Sequence, residues 1–109
     1  MALTPISEYV VMYSANVFPP RIWLKHGGRY IGQLIFLEDG ATLPGDQLVG
    51  DQVYLYYHFR HYANCIDLLR NEQPVFLLFN GNPRENGIKT LAEEVGEGET
   101  EPPLPEGTL

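Results

Sequence analysis

Apolar and polar positions along the chain follow two rhythms, and one gives way to the other inside a single run, "YLYYHFRHYANC", residues 54–65. Up to His58 the pattern has period two. Val53, Leu55 and Tyr57 fall on one side, and Tyr54, Tyr56 and His58 on the other, as a β-strand requires. Beyond it, Phe59, Tyr62, Ala63, Ile66 and Leu69 recur at helical spacing, with Arg60, Asn64, Asp67 and Asn71 opposite. That spacing predicts an amphipathic helix. Pro74 stops it, and the all-apolar "PVFLLF" that follows predicts a strand buried on both faces.

Working back towards the N-terminus, the run Tyr9–Tyr13, continued by alternation through Ala15 and Val17, also predicts a strand buried on both faces. Pro19-Pro20 ends it, because neither residue can donate to a ladder. "RIWLKHGGRYIGQLIFL" is a hairpin, its Gly27-Gly28 pair supplying the positive φ angles of a two-residue turn. A regular ladder from that turn sets Lys25 opposite Tyr30, Leu24 opposite Ile31, Trp23 opposite Gly32 and Ile22 opposite Gln33. Residues 38–51, "EDGATLPGDQLVGD", make a long loop, of a length that tends to be mobile or functional. "NGNPRENG" is a second loop. "IKTLAEEV", residues 88–95, fits a helix or a strand; the strand is preferred because the apolar strand before it needs a hydrogen-bonding neighbour.

The expected order is therefore β-β-β-β-α-β-β, an α+β protein. Its mostly antiparallel sheet of about six strands must curl, because one helix cannot cover both sides. The helix plugs one opening, or the bare face pairs with a second copy. Setting aside the first strand leaves the alternative of an OB-like partly open barrel with an extra N-terminal strand.

Composition adds a boundary. Residues 1–95 hold the strands and helix and are expected to form one globular domain. Residues 96–109, "GEGETEPPLPEGTL", have no periodicity and are expected to form a disordered acidic Pro/Gly-rich tail. Pro102, Pro103 and Pro105 also make a polyproline-II segment of the kind aromatic grooves accept, although a solvating tail is the plainer reading. The net charge of −7 concentrates in that tail, which carries Glu97, Glu99, Glu101 and Glu106. Acidity of this size disfavours duplex nucleic acid and anionic membranes. One cysteine excludes an internal disulfide and suits a reducing cytoplasm. The opening "MALTPISEY" has neither the basic nor the apolar segment of a signal peptide.

No residue pattern specifies a reaction. There is no phosphate loop, nucleophile elbow, HExxH or CxxC, so the chain is expected not to be an enzyme and to need no cofactor. His58, His61 and Cys65 are spaced three and four apart and carry zinc-type ligands. His58 ends the strand, however, and a thiol beside leucines is ordinary packing, so no metal is expected. Glu38, Asp39, Asp46 and Asp51 in the long loop match no calcium-loop spacing.

The better candidate is an aromatic and cationic surface. Arg21, Trp23, Lys25 and Tyr30 share one hairpin face, and Tyr54 and Tyr56 share one face of the later strand. Leu34 and Phe36, placed on the same hairpin face by the regular register, would instead make it the interior of the curled sheet. As an open surface it would bind protein or a second copy, since Trp, Tyr and Arg dominate interface hot spots. The expected function is a small non-enzymatic binding protein acting on protein partners or on itself, the latter as a homodimer. The alternative is a barrel binding a small ligand or single-stranded nucleic acid on its aromatic face.

Overall fold

The computed structural model describes residues 2–95. The chain is α+β, with two mostly antiparallel sheets and one helix among the described residues. The described residues form eight strands: β1 (Ala2–Ile6), β2 (Glu8–Met12), β3 (Arg21–His26), β4 (Arg29–Leu37), β5 (Gln47–Val49), β6 (Gln52–His58), β7 (Val75–Phe79) and β8 (Gly87–Thr90). The helix α1 spans Tyr62–Asn71, behind a 3-10 turn at Phe59–His61. All the expected elements occur in the expected order, and β1 and β5 are additional. The described strands close no barrel, so the OB-like alternative does not apply. The expected tail lies outside the described residues.

Strand order is β1-β7-β8 in one sheet and β2-β3-β4-β6-β5 in the other. The sheets meet at a corner made by the N-terminal segment. Residues up to Ile6 pair with β7, whereas Glu8 onward pair with β3. Between them Ser7 donates its N–H to the Lys25 carbonyl at 2.8 Å, and its hydroxyl accepts from the Gly27 N–H at 3.2 Å. A strand that changes sheets at a bend is how two layers are joined without a long loop.

The core lies between the layers. Ile22, Leu24, Leu34, Phe36, Val53 and Leu55 from the five-stranded sheet meet Val75 and Leu77 of β7 and Cys65 and Leu69 of α1. Aromatic rings extend this core under the helix: Phe36 stacks on Tyr57 at 5.5 Å and meets Tyr62 edge-on at 5.0 Å, while Phe59 stacks on Tyr62. Tyr13 closes the group, edge-on to Phe59 and Tyr62.

The hairpin departs from the expected register. Lys25 pairs with Tyr30, but Leu24 pairs with Gly32, Trp23 with Gln33, and Ile22 with Leu34. Ile31 is the extra residue of a bulge. The physical reason is burial: a regular ladder would set Gln33 beside Ile22 in the core and turn Leu34 and Phe36 outward, because a one-residue slip exchanges the faces. With the bulge, Leu34 and Phe36 are fully buried and Gln33 faces out. The expected placement of Leu34 and Phe36 with Trp23 is therefore overturned.

Other expectations are also corrected. β2 is not buried on both faces; it borders the sheet, and only Tyr9 of its residues is half-buried. The helix buries Cys65 and Leu69 with Tyr62, Ile66 and Leu68 beside them, while Ala63 is exposed, so the stripe is rotated towards Cys65. The 3-10 turn before the helix changes the angular phase of Phe59, which the pattern had joined to the stripe. β8 covers only the first part of 88–95. Inside the long loop, the three residues of β5 pair with β6.

Gly32 sits where β4 lies close against both β6 and Leu77 of the other layer. A methyl group there would lie 2.5 Å from the Val53 carbonyl oxygen and 3.2 Å from Leu77. Gly32→Ala is expected to cost about 1–3 kcal/mol by overpacking, read as a lower urea midpoint at unchanged slope. An unchanged midpoint would contradict this packing.

Candidate functional site: an open aromatic and cationic sheet face

The inner face of the five-stranded sheet is covered, and alternation turns every second side chain the other way. Because Ile22 and Leu24 point inward, Arg21, Trp23 and Lys25 point outward. Because Val53 and Leu55 point inward, Tyr54 and Tyr56 also point outward. Registers then fix the neighbours. Val10, Trp23, Gln33, Tyr54 and Gln47 form one row across all five strands, and Met12, Arg21, Ile35 and Tyr56 form the next. Glu8, Lys25 and Tyr30 form a shorter third row beyond the bulge. All six residues singled out from the sequence, Arg21, Trp23, Lys25, Tyr30, Tyr54 and Tyr56, thus share one face, and no described element covers it.

The face has a defined local geometry. The Arg21 guanidinium lies 5.6 Å from the Trp23 ring centroid, and the Lys25 ammonium 5.0 Å from that of Tyr30. Both separations fit cation–π attraction. Trp23 and Tyr30 meet edge-on at 6.4 Å, and with Gln33 and Gln52 they line a shallow depression of about 280 Å³. The Tyr56 hydroxyl accepts from Gln47 Nε2 at 3.2 Å, which ties the ring towards β5. Among the described residues neither Arg21 nor Lys25 has a carboxylate partner, although Glu8 stands cross-strand from Lys25. Arg21 Nε is buried and has no hydrogen-bond partner there. Ile35, under these side chains, is only 9% exposed although it lies on the open face.

The other candidates resolve into structural roles. His58 closes β6 and its Nε2 lies 2.8 Å from the Ala41 carbonyl; His61 Nε2 accepts from Arg60 Nε at 3.3 Å. Cys65 is buried in the core, and no group of three potential metal ligands gathers among the described residues. The loop acids are dispersed. Asp39 accepts from the Arg60 N–H at 2.8 Å, Asp51 pairs with Arg29 at 3.3 Å, and Asp46 accepts from the Tyr56 N–H at 3.0 Å and from Asn86 at 3.1 Å. Asp39 and Asp46 fasten the crossover between the parallel strands β4 and β6. Arg21, Lys25, Arg29 and Arg60 do not cluster: the first two lie on the open face, Arg29 at the hairpin tip and Arg60 in the 3-10 turn.

Sequence reasoning missed a hollow of about 410 Å³ where the two sheets splay. Ile31, Leu48, Val53, Leu77 and Phe79 supply apolar walls, with the Arg29–Asp51 pair at its rim. It depends on β1 and β5, the two strands without a legible pattern.

No protein-family model, curated protein or solved structure matches the chain. No described helix is long and apolar enough to cross a membrane.

Burial pushes the Cys65 thiol up to about 11. It also raises Tyr57, with lesser contributions from Cys65 and Asp46. The folded state therefore holds these protons longer than the unfolded chain does. Their contribution to stability is complete below pH 9 and is lost as pH rises through the folded values. Unfolding midpoints in urea are expected to fall between about pH 9 and 11, and native Cys65 to resist thiol reagents at neutral pH. Rapid labelling of the folded protein at pH 7 would contradict the buried placement.

Proposed function

We propose that this protein is a small non-enzymatic binding module of the cytoplasm, engaging a protein segment on the open face of its five-stranded sheet. The observation that carries this reading is the gathering of Arg21, Trp23, Lys25, Tyr30, Tyr54 and Tyr56 on one surface that no described element covers. Indole and phenol rings supply large contact area with little side-chain entropy to lose. Two cations that have no carboxylate partner among the described residues give the surface a preference for acidic segments. The overall acidity, and the dispersal of Arg29 and Arg60 away from Arg21 and Lys25, argue against nucleic acid. A buried, unactivated thiol suits a reducing compartment.

The test is selection of short displayed peptides on the full chain. Binders are expected to lose tenfold or more in affinity, about 1.4 kcal/mol, on Trp23→Ala and on Tyr54→Ala, with melting temperature little changed. Binders indifferent to both substitutions would defeat the reading.

The hollow between the sheets favours a second reading, an apolar small ligand, because its volume and walls fall in the range of ordinary ligand pockets. An environment-sensitive anilinonaphthalene dye should then brighten with the native protein and lose that signal on Leu48→Glu. A dark native sample would end this reading.

A further inference from the structure

Beyond the open face itself, we infer that the outer edge of β2 is a contact between two copies of this chain, which pair β2 with β2 antiparallel and join their five-stranded sheets into one. β2 stands last in its sheet. Alternate residues therefore turn their N–H and C=O groups away from β3, where no described strand receives them. The other sheet edges are blunted in ways that discourage such pairing. β1 carries Pro5, β5 has three residues, and β8 has four with Lys89 among them. β2, "EYVVM", has no proline, no lysine and no bulge against β3.

The side chains agree with the backbone. Val10, Val11, Met12, Tyr13, Val17 and Phe18 are half of the large apolar residues left exposed among the described ones, and they fall within nine positions of the chain. Together they expose roughly 600 Å², near the roughly 800 Å² per partner of a standard interface. Val10 and Met12 lie on the open face and Val11 on the other, so both sides of this edge are apolar. That is the pattern of a strand with neighbours on both sides. β2 thus has the composition of a central strand and the position of a border strand, and a second copy removes the conflict.

The strand is also matched to itself. An antiparallel pair centred on Val10 sets Val10 opposite the partner's Val10, Tyr9 opposite the partner's Val11 and Glu8 opposite the partner's Met12. No like charges meet in that register, and aromatic–β-branched pairs across strands are favourable. Val10 stands beside Trp23, so the two open faces would adjoin across the contact. The contact is two-fold and closes on itself, and β5 at the far border is too short to continue the sheet into a filament.

Sedimentation equilibrium of the full chain from about 1 to 500 μM tests the contact, because a dimer grows with concentration by mass action. The mass is expected to rise from one chain towards two. Val10→Lys sets two ammonium groups opposite one another and should weaken the dimer about tenfold or more. Met12→Lys should keep it, since the partner's Glu8 stands opposite. Val49→Lys, on the far border, should leave it unchanged. All three positions are exposed, so melting temperatures at low concentration should differ little. In the natural chain, the outward amide protons of β2 should exchange more slowly as concentration rises, a reading that needs no variant. A mass of one chain throughout, with exchange independent of concentration, would overturn the inference. So would a dimer that survives Val10→Lys, one lost equally on Val10→Lys and Met12→Lys, or one lost on Val49→Lys. Peptide binding through Trp23 and Tyr54 is measured separately on the monomer, so failure here leaves that reading standing.

Discussion

Everything in this molecule follows from the contact between two rows of apolar side chains and the strand β7 that covers them. Ile22, Leu34 and Leu55 form one row across β3, β4 and β6, and Leu24, Gly32 and Val53 form the next. Gly32 lets the backbone of the sheet approach Leu77, and Leu69 and Cys65 complete the cover from the helix. Burial of such side chains is worth about 1.5–3 kcal/mol each, far more than the cost of one irregular residue in a ladder. The bulge at Ile31 is the concession that lets Leu34 and Phe36 join these rows. Once that face is chosen, alternation leaves Trp23, Tyr54 and Tyr56 no option but the opposite side.

A five-stranded sheet with one covered face differs from an ordinary half-solvated antiparallel sheet in what it exposes. Such a sheet usually turns a polar surface to water. Here Val10, Met12, Trp23, Tyr30, Tyr54 and Tyr56 stand outward, accompanied by two cations. The surrounding loops, by contrast, spend their polar groups internally. Asp46 and Asn86 hold the crossover loop to the β7–β8 loop, and Asn86 also bonds Asn80 and the Gly81 carbonyl. The contrast between satisfied loops and an unsatisfied sheet face is what gives the recognition reading its physical content.

The fold was legible wherever a local signal sufficed. Gly27-Gly28 set the turn, the change of period at His58 marked the strand-to-helix boundary, and Pro74 marked the helix end. Signals failed where the decisive energy was non-local. β1 carries Pro5 within five residues and makes its pairs with β7, some seventy residues away in the chain. β5 is three residues inside a loop. The apolar run of β2 looked like a buried strand, but its place at the sheet border leaves Val10, Val11 and Met12 exposed. Alternation alone grouped Arg21, Trp23 and Lys25 on one side of β3 and Tyr54 with Tyr56 on one side of β6, but the regular register wrongly added Leu34 and Phe36 to the first group. That the two groups share a face, and which face is covered, was not readable, because both depend on where β7 and the helix pack and on a bulge that a two-glycine turn does not announce.

The central claim is that the β3 side chains divide, Ile22 and Leu24 towards the helix and β7, Trp23 and its cations away from them. Nuclear Overhauser contacts from the Trp23 indole protons test this most directly, and they are insensitive to what else binds the face. The account predicts contacts to the Tyr30 ring, the Gln33 methylenes and Val10. Contacts from the indole to Leu69, Leu77 or Cys65 would place Trp23 in the core and contradict it.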